Sequence, residues 1–393
     1  MRRRALVHAL GIFQIFAWGS SYYLMAVLSA PVVADTAWPL SWVVGSLSIG
    51  LLVAGMVSPR IGDAIGRRGG RPVLTLASML LAVGLCVVGL SPALWVFIAG
   101  WIVIGVGMGA GLYDAAFATL GDFYGASARS AITTLTLWGG FSSTVCWPLS
   151  AFFVARLGWR GACFGYAAIH LTLSLSLVRF VLPGDRPSRS VDGAHEAPKA
   201  SLRDGERLAY LVTMAIFVLL GLFMSTVSVH LLTLLQRRGL SLAEAVSLGA
   251  MIGPAQVAAR IGEVVSKGRH HPFWTLVAAA VLTTAGLGLL AIDIPIIGLS
   301  LVLYGAGNGI YSIAKGALPL ALFGAERYPS IMGRLARPHL VAQALGPTLG
   351  TLLLPALGAE LTLSALAGMA AVNLTLAGVL WGPVQRMRKV EPR

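Results

Sequence analysis

RIGDAIGRRGGRP (60–72) and RIGEVVSKGRHHP (260–272) are two versions of one stretch. They align without gaps: Arg60 with Arg260, Gly62 with Gly262, Asp63 with Glu263, Arg67 with Lys267, Pro72 with Pro272. Each joins the second apolar run of its half to the third. GMGAGLYDAAF (107–117) likewise matches GAGNGIYSIAK (305–315), sharing three glycines and setting Tyr113 against Tyr311. Offsets of 200 and 198 residues indicate a duplicated unit, a construction found in many membrane transporters.

Composition says where that unit lives. Only 11% of the 393 residues are charged and 57% are hydrophobic, against roughly 25% charged in ordinary soluble domains. No water-facing surface can be built from this balance, so the chain is read as an integral membrane protein. The net charge of +14 falls in short Lys/Arg clusters between apolar runs instead of on one face. That distribution excludes a nucleic-acid partner and matches the loops of a polytopic protein in a lipid bilayer.

Apolar runs of spanning length lie at 6–30, 38–58, 72–90, 94–118, 131–155, 162–182, 208–235, 244–262, 273–291, 296–320, 335–356 and 362–384. They predict an all-α fold of twelve transmembrane helices in two pseudo-symmetric six-helix halves, 1–182 and 208–393, the second with a short tail. The polar stretch 183–207 between them reads as a cytoplasmic linker. Arg2, Arg3 and Arg4 precede an apolar run that is longer than a signal-peptide core, so it is expected to be a retained first helix. Arg60, Arg67, Arg71, Arg129 and the linker bases fall on one side, which the positive-inside rule makes cytoplasmic together with both termini. A bacterial cytoplasmic membrane and a monomer are expected. Gly105, Gly107, Gly109 and Gly111 are expected to give the fourth span one small-residue face.

Ionisable residues inside such spans usually mark a transport route, because a charge at the bilayer centre costs roughly 2.5–3.5 kcal/mol on the insertion scale. Asp114 stands about twenty residues into an uncharged run. Lys315, in the tenth span, lies at a similar depth. Trp18, Tyr22 and Tyr23, with Tyr113 and Tyr311, are candidates for an aromatic wall. Asn308, Gln14 and Gln256 are candidate hydrogen-bonding groups, with interhelical bonding an equal alternative. Arg337, at the start of the eleventh span, is placed to attract an anion. Arg260 reads as a gate or anchor and His170 as a packing residue. Cys86, Cys146 and Cys163 lie in apolar runs without metal-ligand spacing. The absence of a phosphate-cradling Gly-x-x-x-x-Gly-Lys-Ser/Thr run and of HExxH argues against an ATP-driven pump and a membrane hydrolase. No metal, cofactor or enzymatic activity is expected.

The twelve spans, the linker and the basic stretch resemble the major facilitator superfamily. Its loop pattern, Gly-x-x-x-Asp-Arg-x-Gly-Arg-Arg, is met by Gly62, Arg67, Gly69 and Arg71, while Gly66 occupies the aspartate position. Asp63 and Glu263 are the nearest acids, so the resemblance implies a cytoplasmic gate at Arg60, Asp63, Arg67, Arg71, Arg260 and Glu263. It also implies that spans 1, 4, 7 and 10 line a central cavity, bringing Asp114 and Lys315 to face each other. LGWRGACF (157–164) is similar to a segment of the monocarboxylate and oxalate/formate branch. The expected function is secondary active transport of a small organic anion with protons, by alternating access. Proton-driven efflux of amphipathic or cationic compounds is the alternative.

Overall fold

The structure is a computed structural model describing residues 2–183, 202–203, 205–266, 269–292 and 296–390. Apolar runs without water to solvate their backbone fold as helices, which satisfy N–H and C=O internally. No strand occurs among the described residues.

Helix α1 comes in two pieces, α1a (Arg2–Gly19) and α1b (Met25–Thr36). It is followed by α2 (Leu40–Arg68), α3 (Gly70–Gly89), α4a (Leu94–Gly111) and α4b (Tyr113–Tyr124). Helix α5 starts at Ala128, is interrupted at Phe141 and reaches Gly158, beyond which α6 continues to Val181. The later helices are α7 (Glu206–Arg237), α8a (Leu242–Gly249), α8b (Ile252–Val265), α9 (Pro272–Ala291) and α10 (Ile297–Phe323). Helix α11 runs from Tyr328 to Gly358 and α12 from there to Val390. Gly158 (φ 71°) and Gly358 (φ 76°) make the same joint in the two halves. Lacking Cβ, they take a backbone conformation that other residues avoid.

The chain divides into two compact units, Met1–Ala200 with Ala325–Arg337, and Ser201–Gly324 with Pro338–Arg393. Most of the 183–207 segment, including 184–201, lies outside the described residues, as does Lys267.

Three sequence expectations change. The stretch 60–72 is not a loop: α2 continues to Arg68, and Gly69 (φ 78°) alone separates it from α3. Spans 1 and 4, expected to be continuous, are broken at 20–24 and at Leu112. The glycines of span 4 do not share one face, because residues two apart on a helix point in nearly opposite directions. A Cβ on Gly109 would meet the Ala54 carbonyl at 2.9 Å, whereas one on Gly107 would meet Leu81 N of α3 at 3.1 Å.

The same contacts measure the repeat. Gly105 presses on the Gly50 backbone and Gly109 on Ala54, as Gly305 presses on Ile252 and Gly309 on Gln256. Gly107 meets Leu81 N as Gly307 meets Thr283 N, and Gly84 meets Ile104 N as Gly286 meets Tyr304 N. The packing therefore relates α4 to α10 by 200 residues, and α2 and α3 to α8 and α9 by 202. Sequence matching had assigned 198 and 200, so both registers move by two. In the packing register Asp114 corresponds to Ala314, beside Lys315.

Candidate functional site

The breaks in α1 and α4 lie at one place. At Leu112 the backbone turns extended (ψ −171°), which ends α4a at Gly111 and starts α4b at Tyr113. Such a break strips carbonyls of their helical donors, and in a membrane these must be satisfied from elsewhere. Gln14 of α1a supplies one donor: its Nε2 donates to Gly111 O at 2.6 Å, and the side chain is fully buried. Trp18 Nε1 donates in turn to Gln14 Oε1 at 3.1 Å.

Asp114 therefore occupies the first turn of a helix, not the middle of one. A carboxylate there interacts favourably with the helix dipole by about 0.3–1 kcal/mol, and up to ~2 when partly buried. This offsets part of the insertion cost of about 2.5–3.5 kcal/mol. Asp114 is half-buried and lines a narrow crevice with Ser58, Ile61, Gly62, Gly109 and Gly333.

Aromatic rings surround the paired breaks. Trp18 lies 5.1 Å from Tyr113 and 5.5 Å from Tyr22, centroid to centroid. Tyr22 meets Tyr23 at 5.4 Å, Tyr23 meets Trp147 of α5 at 6.1 Å, and Tyr113 stacks on Phe117 at 5.1 Å. A cavity of about 580 Å³ opens beside this row, lined by Ala26, Val27, Ser143, Thr144 and Trp147 among others.

The first copy of the repeated stretch carries a close packing junction. Ser330 Oγ donates to Asp63 Oδ1 at 2.6 Å. A Cβ on Gly62 would collide with Pro329 O, one on Gly333 would come within 3.0 Å of Gly62 Cα, and Gly121 accommodates the buried Tyr328 ring. Arg71 donates to Arg179 O at 2.5 Å, while Arg60, Arg67 and Arg337 are exposed. The sequence reading missed Tyr328, Ser330 and Gly333, because nothing in the sequence links them to residue 62.

In the second unit, Asn308, Tyr311 and Lys315 fall on one face of α10 at i, i+3 and i+7. Tyr311 and Lys315 are buried there and Asn308 is half-buried. Gln256 contributes its backbone to the Gly309 contact, and the buried Arg260 donates from Nε to Gly309 O at 3.2 Å. Glu263 accepts from Thr275 Oγ1 at 3.0 Å and lies 3.2 Å from His270 Nε2. Asp114 and Lys315 belong to different units.

Among the described residues, no group of three or more His, Cys, Asp or Glu could hold a metal ion. The model of the Major Facilitator Superfamily matches residues 10–336. The chain belongs to that superfamily. This major facilitator protein is thus a membrane transporter and not an enzyme. Its fold is similar to that of the human organic anion transporter MFSD10 (TETRAN), with a TM-score of 0.76 and 16% identity over 95% of this chain and 99% of that one. FucP in the outward conformation gives 0.75 and 14%, covering 95% and 98%. The proton:xylose symporter XylE gives 0.70 and 14%, covering 94% of both chains. At such identities the likeness concerns the fold alone. None of the curated proteins matches this sequence.

Proposed function

We propose that this protein is a proton-coupled secondary transporter of small organic anions of the monocarboxylate kind, working by alternating access. The observation that carries the reading is the severed α4, which sets Asp114 at a helix start beside Gln14, Trp18 and Tyr113. Discontinuous helices in transporters gather exposed backbone dipoles where substrate and coupling ions bind. Asp114 is the proton carrier of this reading, and Lys315 is the cation that receives the substrate carboxylate. In this reading the substrate bound at Lys315 and the proton carried by Asp114 cross in the same transport cycle. The cytoplasmic junction at Asp63 and Ser330 is released and remade as access alternates, with both termini on that side.

The aromatic row supports a second reading, efflux of amphipathic compounds, in which the rings hold apolar bulk and Asp114 holds a cation. Melting of the purified protein with pyruvate, oxalate, benzoate or tetraphenylphosphonium separates the two, since a ligand of the folded state raises Tm by mass action. Stabilisation by a carboxylate, abolished in Lys315→Ala, supports anion transport; uptake of that carboxylate into proteoliposomes under an inward proton gradient then tests coupling. Stabilisation by tetraphenylphosphonium, abolished in Asp114→Asn, overturns the anion reading in favour of efflux.

A further inference from the structure

The break in α1 is held from outside the site. Ser20, its first residue, is fully buried, and its Oγ lies 2.7 Å from Nε2 of His170, also fully buried. His170 opens a π-helical turn of α6, His170–Ser174, in which the Leu175 N–H reaches back five residues to the His170 carbonyl. A π-turn inserts a residue and re-aims the side chains around it, and such turns concentrate at functional sites.

The turn is poorly designed for stability alone. His170 Nδ1 and Ser174 Oγ are both buried and have no hydrogen-bond partner among the described residues. An unsatisfied buried polar atom costs more than one satisfied hydrogen bond contributes, so an apolar side chain would pack here at less cost. Such a combination persists where it positions something else.

We propose that His170 is a positioning residue for the transport site: through Ser20 it fixes the angle at which α1b leaves the break. The three residues Ser20, Tyr22 and Tyr23 share the five-residue segment that this bond anchors, and Trp18 immediately precedes it. The bond therefore sets the geometry of the aromatic row. Making and breaking it is the hinge step of α1b, driven from α6, a helix that does not contribute to the row. The consequence for transport rests on the reading above; the geometry of the hinge does not.

Hydrogen–deuterium exchange on the full-length protein in nanodiscs, without any substrate, tests this hinge. In His170→Leu and in Ser20→Ala, amides of 20–28 are expected to exchange about ten-fold faster or more, as for a local opening released from a buried hydrogen bond. Amides of α2 and α3 keep their wild-type rates. His170→Gln, whose amide nitrogen reaches the place of Nε2, restores slow exchange. Unchanged exchange at 20–28 in a folded Ser20→Ala protein, acceleration spread evenly over the first unit, or failure of His170→Gln to rescue would each overturn the proposal. Because no ligand is used, these results stand whether or not the substrate assignment survives.

Discussion

Helices α4 and α10 carry the same ladder of glycines in the same packing roles, yet α4 is severed at Leu112 while α10 runs unbroken from Ile297 to Phe323. A proline is the usual cause of a kinked helix, and the only proline in either helix is Pro319 of α10. The break is instead where a partner helix offers a substitute donor, Gln14 to Gly111 O. The residue corresponding to Gly111 is Tyr311, buried and on an intact helix. In the packing register Gly62 corresponds to Val264, so the residues of the basic stretch that match by sequence have different surroundings. Gly62 is packed against Pro329 and Gly333, whereas among the described residues nothing lies within 4 Å of a Cβ added at Gly262. Asp63 binds Ser330, far along the chain, while Glu263 binds Thr275 nearby. Duplication copied the helices, and the contacts then specialised.

The sharpest way to break this contrast is to substitute the two glycines that match by sequence. Gly62→Ala forces atoms into a filled junction and should destabilise by about 1–3 kcal/mol. Gly262→Ala should be neutral or stabilising by up to ~1 kcal/mol, because glycine is a poor helix former. Thermal melts of both variants decide; equal shifts would erase the asymmetry.

Gln14→Leu tests the severed helix. It leaves Gly111 O buried without its donor, a cost of about 1–3 kcal/mol, and the loss should localise to faster exchange at 112–116. A uniform change would mean that Gln14 is only interhelical glue. Ser330→Ala removes one hydrogen bond to Asp63 and should cost about 0.5–1.5 kcal/mol. Thr275→Ala, which removes the hydrogen bond to Glu263, should leave the first unit's exchange unaltered.

The smallest effect concerns the Asp35 cluster at the end of α1b. Hydrogen bonds from Trp159 and Arg160, the latter stacked 4.2 Å over the Trp159 ring, hold the Asp35 carboxyl below its usual range. A lowered folded-state pKa gives stability that is present above the unfolded value and lost as pH falls through the folded one. The Tm gap between wild type and Asp35→Asn should thus be full at pH 6–7, begin to narrow below about 3.9 and close at lower pH. A gap that stayed constant with pH would assign the effect to packing of the Trp159 ring.

Much of the fold was legible because the bilayer leaves few choices. A run of twenty apolar residues has to become a helix, and basic clusters between such runs mark their ends. Asp114 and Lys315 stand out in the sequence for the same reason, as charges where charge is costly. The register of the repeat was not, since glycine-rich helices align almost as well two residues out of step, and only the partner atoms distinguish the alternatives. Residues 328–333 gave no signal, because small and polar residues at a helix start are ordinary until Gly62 and Asp63 are seen against them. His170 read as packing because the family resemblance puts span 6 outside the cavity; its partner, Ser20, is 150 residues away and gave no local signal.

The sequence by itself determined the membrane environment, the twelve spans and their duplication, since hydropathy and local spacing depend only on neighbours in the chain. The tertiary structure alone decided that α1 and α4 break, that Asp114 begins a helix, and that Asp63 and Glu263 take different partners. Those outcomes depend on which donor meets which freed carbonyl or carboxylate, and that is settled only when distant helices pack.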